Sequence, residues 1–216
     1  MKLLSINIGK QQSLQNKDRI EITGIHKMPV QGPVQLTELG IAEDFIGSPK
    51  HHGGPDQALY IYTEADYQWW RQELGKELPH GIFGENLTID GTESASVNIG
   101  DLLHIGAVTL QVTAPRIPCG TFASHMQDSQ WVKKFRHAER PGYYVRVLKQ
   151  GIITARDEIR MERFSGETIS IAEVYRDHYE KRGADLLKKQ LQAPISIRLR
   201  QRLESDLEKL ASATEL

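Results

Sequence analysis

The chain has 216 residues, 39% hydrophobic and 25% charged, with a formal net charge of −1. That balance suits a globular fold and excludes low-complexity disorder. It also lacks the basic excess expected of a protein that binds a nucleic-acid polymer. No stretch approaches the ~20 consecutive apolar residues of a membrane span, so no membrane partner is expected. The opening residues 1–8 are too short and too alternating for a secretory signal. A single cysteine, Cys119, excludes an internal disulfide. Its free thiol fits a reducing compartment, and a cytoplasmic protein is expected.

In chain order, Leu4, Ile6 and Ile8 alternate with polar neighbours, as do Ile20 and Ile22, and both runs predict half-buried strands. Residues 58–62 form a compact apolar and aromatic run. Thr63 then predicts an N-cap for a helix passing through Trp69 and Trp70 towards Gly75. Val108, Leu110 and Val112 alternate again. Residues 129–135 predict a second helix, with Trp131 and Phe135 four apart on one face. Val145 and Val147 precede a Gln150-Gly151 turn and the pair Ile152-Ile153. Many short strands with few helices predict a mainly β fold, closed or nearly closed into a β-barrel. Strand and helix do not alternate regularly enough for a doubly wound fold.

The pattern changes near residue 165. Beyond it lie only Gly166 and Gly183 among the glycines and only Pro194 among the prolines, so strands and turns give way to helices. The expected division is a strand-rich domain over 1–164 and a small all-α, three-helix domain over 165–216. Ser170 caps a helix carrying Ile171, Val174 and Tyr175 on one face, and Gly183 separates the next. After Pro194 a third helix carries Leu199, Leu203, Leu207 and Leu210 as a stripe. Arg198, Arg200 and Arg202 at its start read as a solvated basic face.

Three segments carry candidate chemistry. Lys50, His51, His52, Gly53 and Gly54 form a turn-prone stretch whose backbone N–H groups and cations suit an anion. Glu85 and Asn86 follow Gly84 and offer a carboxylate and an amide, either for a ligand or to close a turn. In residues 113–120, prolines on both sides of Arg116 stiffen a loop that ends at Cys119. A guanidinium near a thiol favours the thiolate, the form that attacks electrophiles and binds soft metals. A zinc site from His51 or His52, Cys119 and His125 is conceivable, though the spacing does not specify one. The Cys-x-x-Cys, His-Glu-x-x-His, P-loop and Gly-x-Ser-x-Gly patterns are all absent.

Taken in order, residues 50–59, 83–87, 98–101 and 115–119 resemble the MOSC domain, named after the C-terminal part of molybdenum cofactor sulfurase. They match its His-Gly-Gly, Gly-Glu-Asn, Gly-Asp and Pro-Arg-x-x-Cys elements. The likeness is greatest to the bacterial stand-alone, YiiM-type branch, whose small three-helix domain the tail is similar to. The resemblance implies a β-barrel that binds the molybdenum cofactor, with Cys119 as the metal ligand. It implies that Lys50, His51, His52, Gly53, Gly54, Asn86 and Arg116 contact the cofactor. The implied activity is an oxidoreductase that cleaves the N–O bond of small N-hydroxylated substrates of the hydroxylaminopurine or amidoxime type. His52, Glu85 and Asp101 are then the expected proton donors or orienting groups beside the catalytic Cys119.

One cysteine cannot hold a Cys-ligated iron–sulfur cluster, so a separate electron-donor reductase is an expected partner. The tail could serve to dock that partner or to form a homodimer. The competing readings are a non-enzymatic carrier of sulfur or molybdenum cofactor through Cys119, and a zinc- or thiol-dependent hydrolase.

Overall fold

The structure, a computed structural model, describes residues 1–49, 52–180 and 183–214. The chain opens with β1 (Lys2–Gly9), a ribbon of β2 (Gln12–Asn16) and β3 (Arg19–Thr23), then the short strands β4 (Lys27–Pro29), β5 (Val34–Thr37) and β6 (Gly40–Ile41). A loop and one 3₁₀ turn lead to β7 (Leu59–Thr63), α1 (Glu64–Leu74) and β8 (Leu87–Asp90). Next come β9 (Leu102–Ile105), β10 (Val108–Pro115), α2 (Gly120–His125), α3 (Trp131–Ala138), β11 (Tyr143–Lys149), β12 (Gly151–Ile153) and β13 (Ile159–Glu162). The tail holds α4 (Ile171–Asp177), α5 (Ala184–Gln192) and α6 (Ile197–Thr214).

Eight strands form one sheet in the order β13-β9-β10-β11-β7-β8-β1-β4. Every pairing in it is antiparallel except β7 with β8, where Ile61 lies beside Leu87 and Thr63 beside Ile89. A parallel pair needs a crossover, and α1 supplies it. Thr63 ends β7 and caps α1, its hydroxyl accepting from the Asp66 N–H, and Gly75 ends the helix in the left-handed conformation. Both ends of α1 therefore fall where the sequence places them.

The sheet does not close into a barrel. Its end strands β13 and β4 are not paired with each other. The outer edge of β1 is divided between two neighbours. From Asn7 to Gly9 it pairs with β4. Near Lys2 it makes an isolated bridge to Glu158, and Leu3 N donates to the Asp157 carbonyl at 3.0 Å. Because β4 occupies half of that edge, the approach to β13 is a bridge where a closed barrel would need a full ladder. The sheet curls back on itself without sealing.

The β2–β3 ribbon corrects a second expectation. Its strands form, but Ile20 and Ile22 are 69% and 45% exposed. The opposite side of the ribbon is the one that packs: Glu21 accepts from the Thr121 hydroxyl at 2.8 Å and Asn16 from Ser124 at 3.0 Å, both on α2. Alternation locates a strand without saying which side it buries.

The tail helices share the core of the sheet. Ile171, Val174, Leu187, Leu199 and Leu203 are buried in the same apolar cluster as Leu3, Ile6, Val112 and Val145. Ser170 and Glu173 form a reciprocal capping box at the start of α4. No helix among the described residues is long and apolar enough to cross a membrane. Truncation of a fully buried side chain in this shared core tests it: Leu203→Ala should cost about 2–5 kcal/mol. Chemical denaturation followed separately by near-UV signals from the sheet aromatics and by helix content should give coincident, equally shifted transitions.

Candidate functional site around Cys119, His52 and Arg116

Strand β10 ends in Pro115, and the loop behind it delivers Arg116 and Cys119 to a second, aromatic core. That cluster contains Tyr60, Tyr62, Tyr67, Trp70, Phe83, Phe122, Trp131 and Phe135, with Cys119 and Tyr144 packed at its border. Arg116 is buried, its guanidinium carbon 4.3 Å from the ring centre of Phe122 and 5.0 Å from that of Tyr60. Aromatic faces attract a cation and tolerate its partial desolvation. Its Nη1 has no hydrogen-bond partner among the described residues.

Cys119 stands immediately before α2 and is half-buried. Burial pushes its thiol up. The hydrogen bond from His52, the charge of Arg116 and the Phe122 N–H outweigh that and bring it from 9.0 down to about 6. The group is therefore largely a thiolate at neutral pH. His52 also lines a cleft of about 380 Å³ between the sheet and the tail, whose other walls include Gln57, Pro115, Tyr144, Ser196, Arg198 and Arg202. That volume lies in the range of small-molecule sites.

A sequence model of the MOSC domain matches residues 48–160. The chain belongs to the MOSC domain family. The uncharacterized protein YflK of Bacillus subtilis is 32% identical over 82% of this chain and 80% of its own length. A protein named reductase from Gibberella moniliformis is 34% identical over 65% of this chain, which spans only 26% of that longer protein. Among solved structures, YiiM from Geobacillus stearothermophilus superposes with a TM-score of 0.79 at 28% identity, covering 95% of this chain and 98% of that one.

Within this MOSC fold the residues singled out from sequence fall into two groups. His52, Arg116 and Cys119 come together. Glu85, Asn86 and Asp101 are enclosed in the scaffold. Glu85 is fully buried, and its Oε1 accepts from Tyr67 Oη at 2.7 Å, Gly81 N at 2.6 Å and Thr88 Oγ1 at 2.8 Å. Burial holds its carboxyl above the usual range despite those donors, and Oε2 has no partner among the described residues.

Asn86 joins the parallel strands. Its Oδ1 accepts from Tyr60 N at 3.1 Å, and its Nδ2 donates at 2.9 Å to Asp44, the partner of buried Lys27. Asp101 accepts from Asn98 N, Phe164 N and Arg163, closing the joint between sheet and tail. Gly53 is buried at φ 71, and a Cβ there would meet Ile46 at 2.5 Å. Its place is thus a tight packing point, whereas the sequence suggested an open anion cradle. Lys50 and His51 lie outside the described residues.

His125 belongs to a different contact. Its Nε2 faces the Ile82 carbonyl at 2.9 Å and its Nδ1 faces His26 Nδ1 at 2.9 Å. Burial, the neighbouring His26 and Arg116 lower it to about 4, so it is neutral at pH 7. A carbonyl only accepts, which places the His125 proton on Nε2 and makes His26 the donor between the rings. With both nitrogens engaged, His125 offers no free lone pair for the zinc reading. Among the described residues no three His, Cys, Asp or Glu side chains are grouped to hold a metal ion.

Sequence reasoning missed Arg198, which was read as a solvated cation. The available signal was its position: a cation in the first turn of a helix opposes the dipole and needs acceptors of its own.

Two measurements follow from this geometry. The alkylation rate of Cys119 should rise with pH through a midpoint near 6, and His52→Ala should move that midpoint upward by removing the donor to the thiolate. For Glu85, the Gln variant keeps an acceptor at Oε1 and should stay within about 1–2 kcal/mol of the parent. Glu85→Ala leaves three donors unanswered and should cost about 3 kcal/mol or more in chemical denaturation.

Proposed function

We propose that this MOSC protein is an oxidoreductase that binds the molybdenum cofactor through Cys119 and reduces small N-hydroxylated compounds. What supports this reading is the lowered Cys119 thiol, brought down by His52 and Arg116, together with the cleft that His52 lines. A thiolate is the soft donor such a metal prefers. The fit extends to charge, because the buried Arg116 guanidinium has an unanswered Nη1 and so suits an anionic group. The name of the Gibberella moniliformis relative, reductase, belongs to a longer protein of which the match spans 26%, and is consistent with a redox role.

When bound, the cofactor supplies the two-electron chemistry. The overall change is R–NHOH plus two electrons and two protons, giving R–NH₂ and water. The electrons come from a separate reductase, and the protein's own residues bind, orient and deliver protons. Of the three candidate proton donors, His52 is the one that lines the cleft, so we assign proton delivery to its imidazole N–H. Glu85 and Asp101 act by holding the scaffold, with their oxygens turned into it. Arg116 balances negative charge at the sulfur and the bound anion. Pro115, Ile117 and Tyr144 supply the apolar wall that limits water around the substrate.

The test is anaerobic purification from a host rich in the cofactor, followed by metal and pterin analysis of the parent and of Cys119→Ser. Stoichiometric molybdenum and pterin are expected in the parent and altered or lost in the variant. Turnover of a hydroxylaminopurine with a chemical electron donor should appear with the parent, fall sharply in His52→Ala and vanish in Cys119→Ser. Bound cofactor with no turnover would replace this reading with carriage of cofactor or sulfur. Zinc alone would replace it with a hydrolase.

A further inference from the structure

The described residues on either side of His52 have little secondary structure to hold them. His52 N reaches back to the Ser48 carbonyl at 2.9 Å, Gly53 and Gly54 take positive φ, and a single 3₁₀ turn spans Pro55–Gln57. What fixes the loop comes from far along the chain, from the first turn of α6. Arg198 Nη1 donates to the Gly53 carbonyl at 2.8 Å and to Gln57 Oε1 at 2.7 Å, while Nη2 donates to the Pro49 carbonyl at 2.9 Å. The two carbonyls bracket His52 on its N-terminal and C-terminal sides.

A second tie is built from Asp56. Its Oδ2 accepts from Ile197 N at 2.7 Å, answering a free donor at the start of α6 with a carboxylate. Its Oδ1 meets Arg146 Nε at 3.0 Å, and Arg146 Nη2 donates to the carbonyls of Pro194 and Ile195 at 3.2 and 3.0 Å. The loop and the start of α6 are therefore locked from both sides.

We propose that Arg198 is a positioning residue for His52: the tail grips the backbone on both sides of His52 and so fixes where its imidazole stands at the cleft. Arg198 does this as a clamp, since both of its terminal nitrogens already serve protein acceptors. The planar fork divides its donors between two nitrogens to reach these three acceptors; a lysine concentrates its three donors on one atom and does not reproduce that spread. The tail helix is then part of the active-site machinery. The inference rests on the clamp around His52 and its place at the cleft, and is independent of which cofactor binds there.

The test uses the full-length chain without cofactor, as Arg198→Ala and Arg198→Lys, with Arg200→Ala as the control. Arg200 donates to the carbonyls of Leu191 and Ala193 inside the tail and does not touch the loop. Two quantities are read: hydrogen exchange of the amides in 48–57, and the rate of Cys119 alkylation by iodoacetamide at pH 7. Both Arg198 variants should speed loop exchange and slow alkylation about two- to tenfold at this pH, as the loss of one charge-assisted hydrogen bond moves the thiol up from near 6 by about one to two pH units. Arg200→Ala should change neither.

The inference is overturned if the loop stays protected in the Arg198 variants. It is equally overturned if the loop loosens while Cys119 reacts as fast as before or faster, or if Arg200→Ala reproduces both effects. Because no cofactor is present, failure here leaves the molybdenum reading to its own metal analysis.

Discussion

Burying the Arg116 guanidinium removes it from water at a cost that for a single ion is of the order of several kcal/mol, and the site is arranged around meeting that cost. Aromatic faces of Phe122, Tyr60 and Phe135 surround it, but they answer only part of its charge. The ionisable groups that weigh most on it are Tyr60, Tyr144 and Cys119. Burial raises both tyrosines, so they stay neutral near pH 7. The thiolate of Cys119 is left as the anion of the pair. The guanidinium and the sulfur therefore stabilise one another's charge, and the low thiol pKa belongs to the aromatic core as much as to the cysteine.

The scaffold beneath this pair depends on the parallel junction of β7 and β8. A crossover brings the two strands side by side, and Asn86 links them through Tyr60 N while its Nδ2 holds Asp44. Glu85, one residue earlier, collects Tyr67, Gly81 and Thr88 beneath the aromatic cluster. Tyr60 thus receives its backbone position from Asn86 and offers its ring to Arg116. A Glu-Asn pair buried in the protein is thereby connected to the site through that chain of contacts.

Much of this was legible in the sequence because it is local. The Thr63 cap, the Gly75 stop, the Ser170 cap and the stripe from Leu199 to Leu207 are written within a few residues of the features they specify. The same holds for the loop from Pro115 to Cys119, where stiff backbone and cation announce a special thiol. What was not legible depends on distant partners. The open edge of the barrel arises because β4 occupies part of β1, and the exposed face of Ile20 and Ile22 follows from where α2 lies. Glu85 and Asp101 read as chemistry because carboxylates are reactive in water; only their donors, up to 63 positions away, show how firmly they are held in the scaffold.

Arg198 is the sharpest case of that divide. Its three acceptors lie 141 to 149 positions earlier in the chain, so its place in the first turn hints that it needs acceptors without showing which ones it finds. The physical reason for the long reach is the shared core. Once α4 and α6 bury Val174, Leu199 and Leu203 against the sheet, the first turn of α6 is delivered to the loop at no further entropic cost. A weakly structured loop can then be held by hydrogen bonds that would be too few to order it alone. Burial places the helix, the helix places the guanidinium, and the guanidinium holds the backbone on either side of His52.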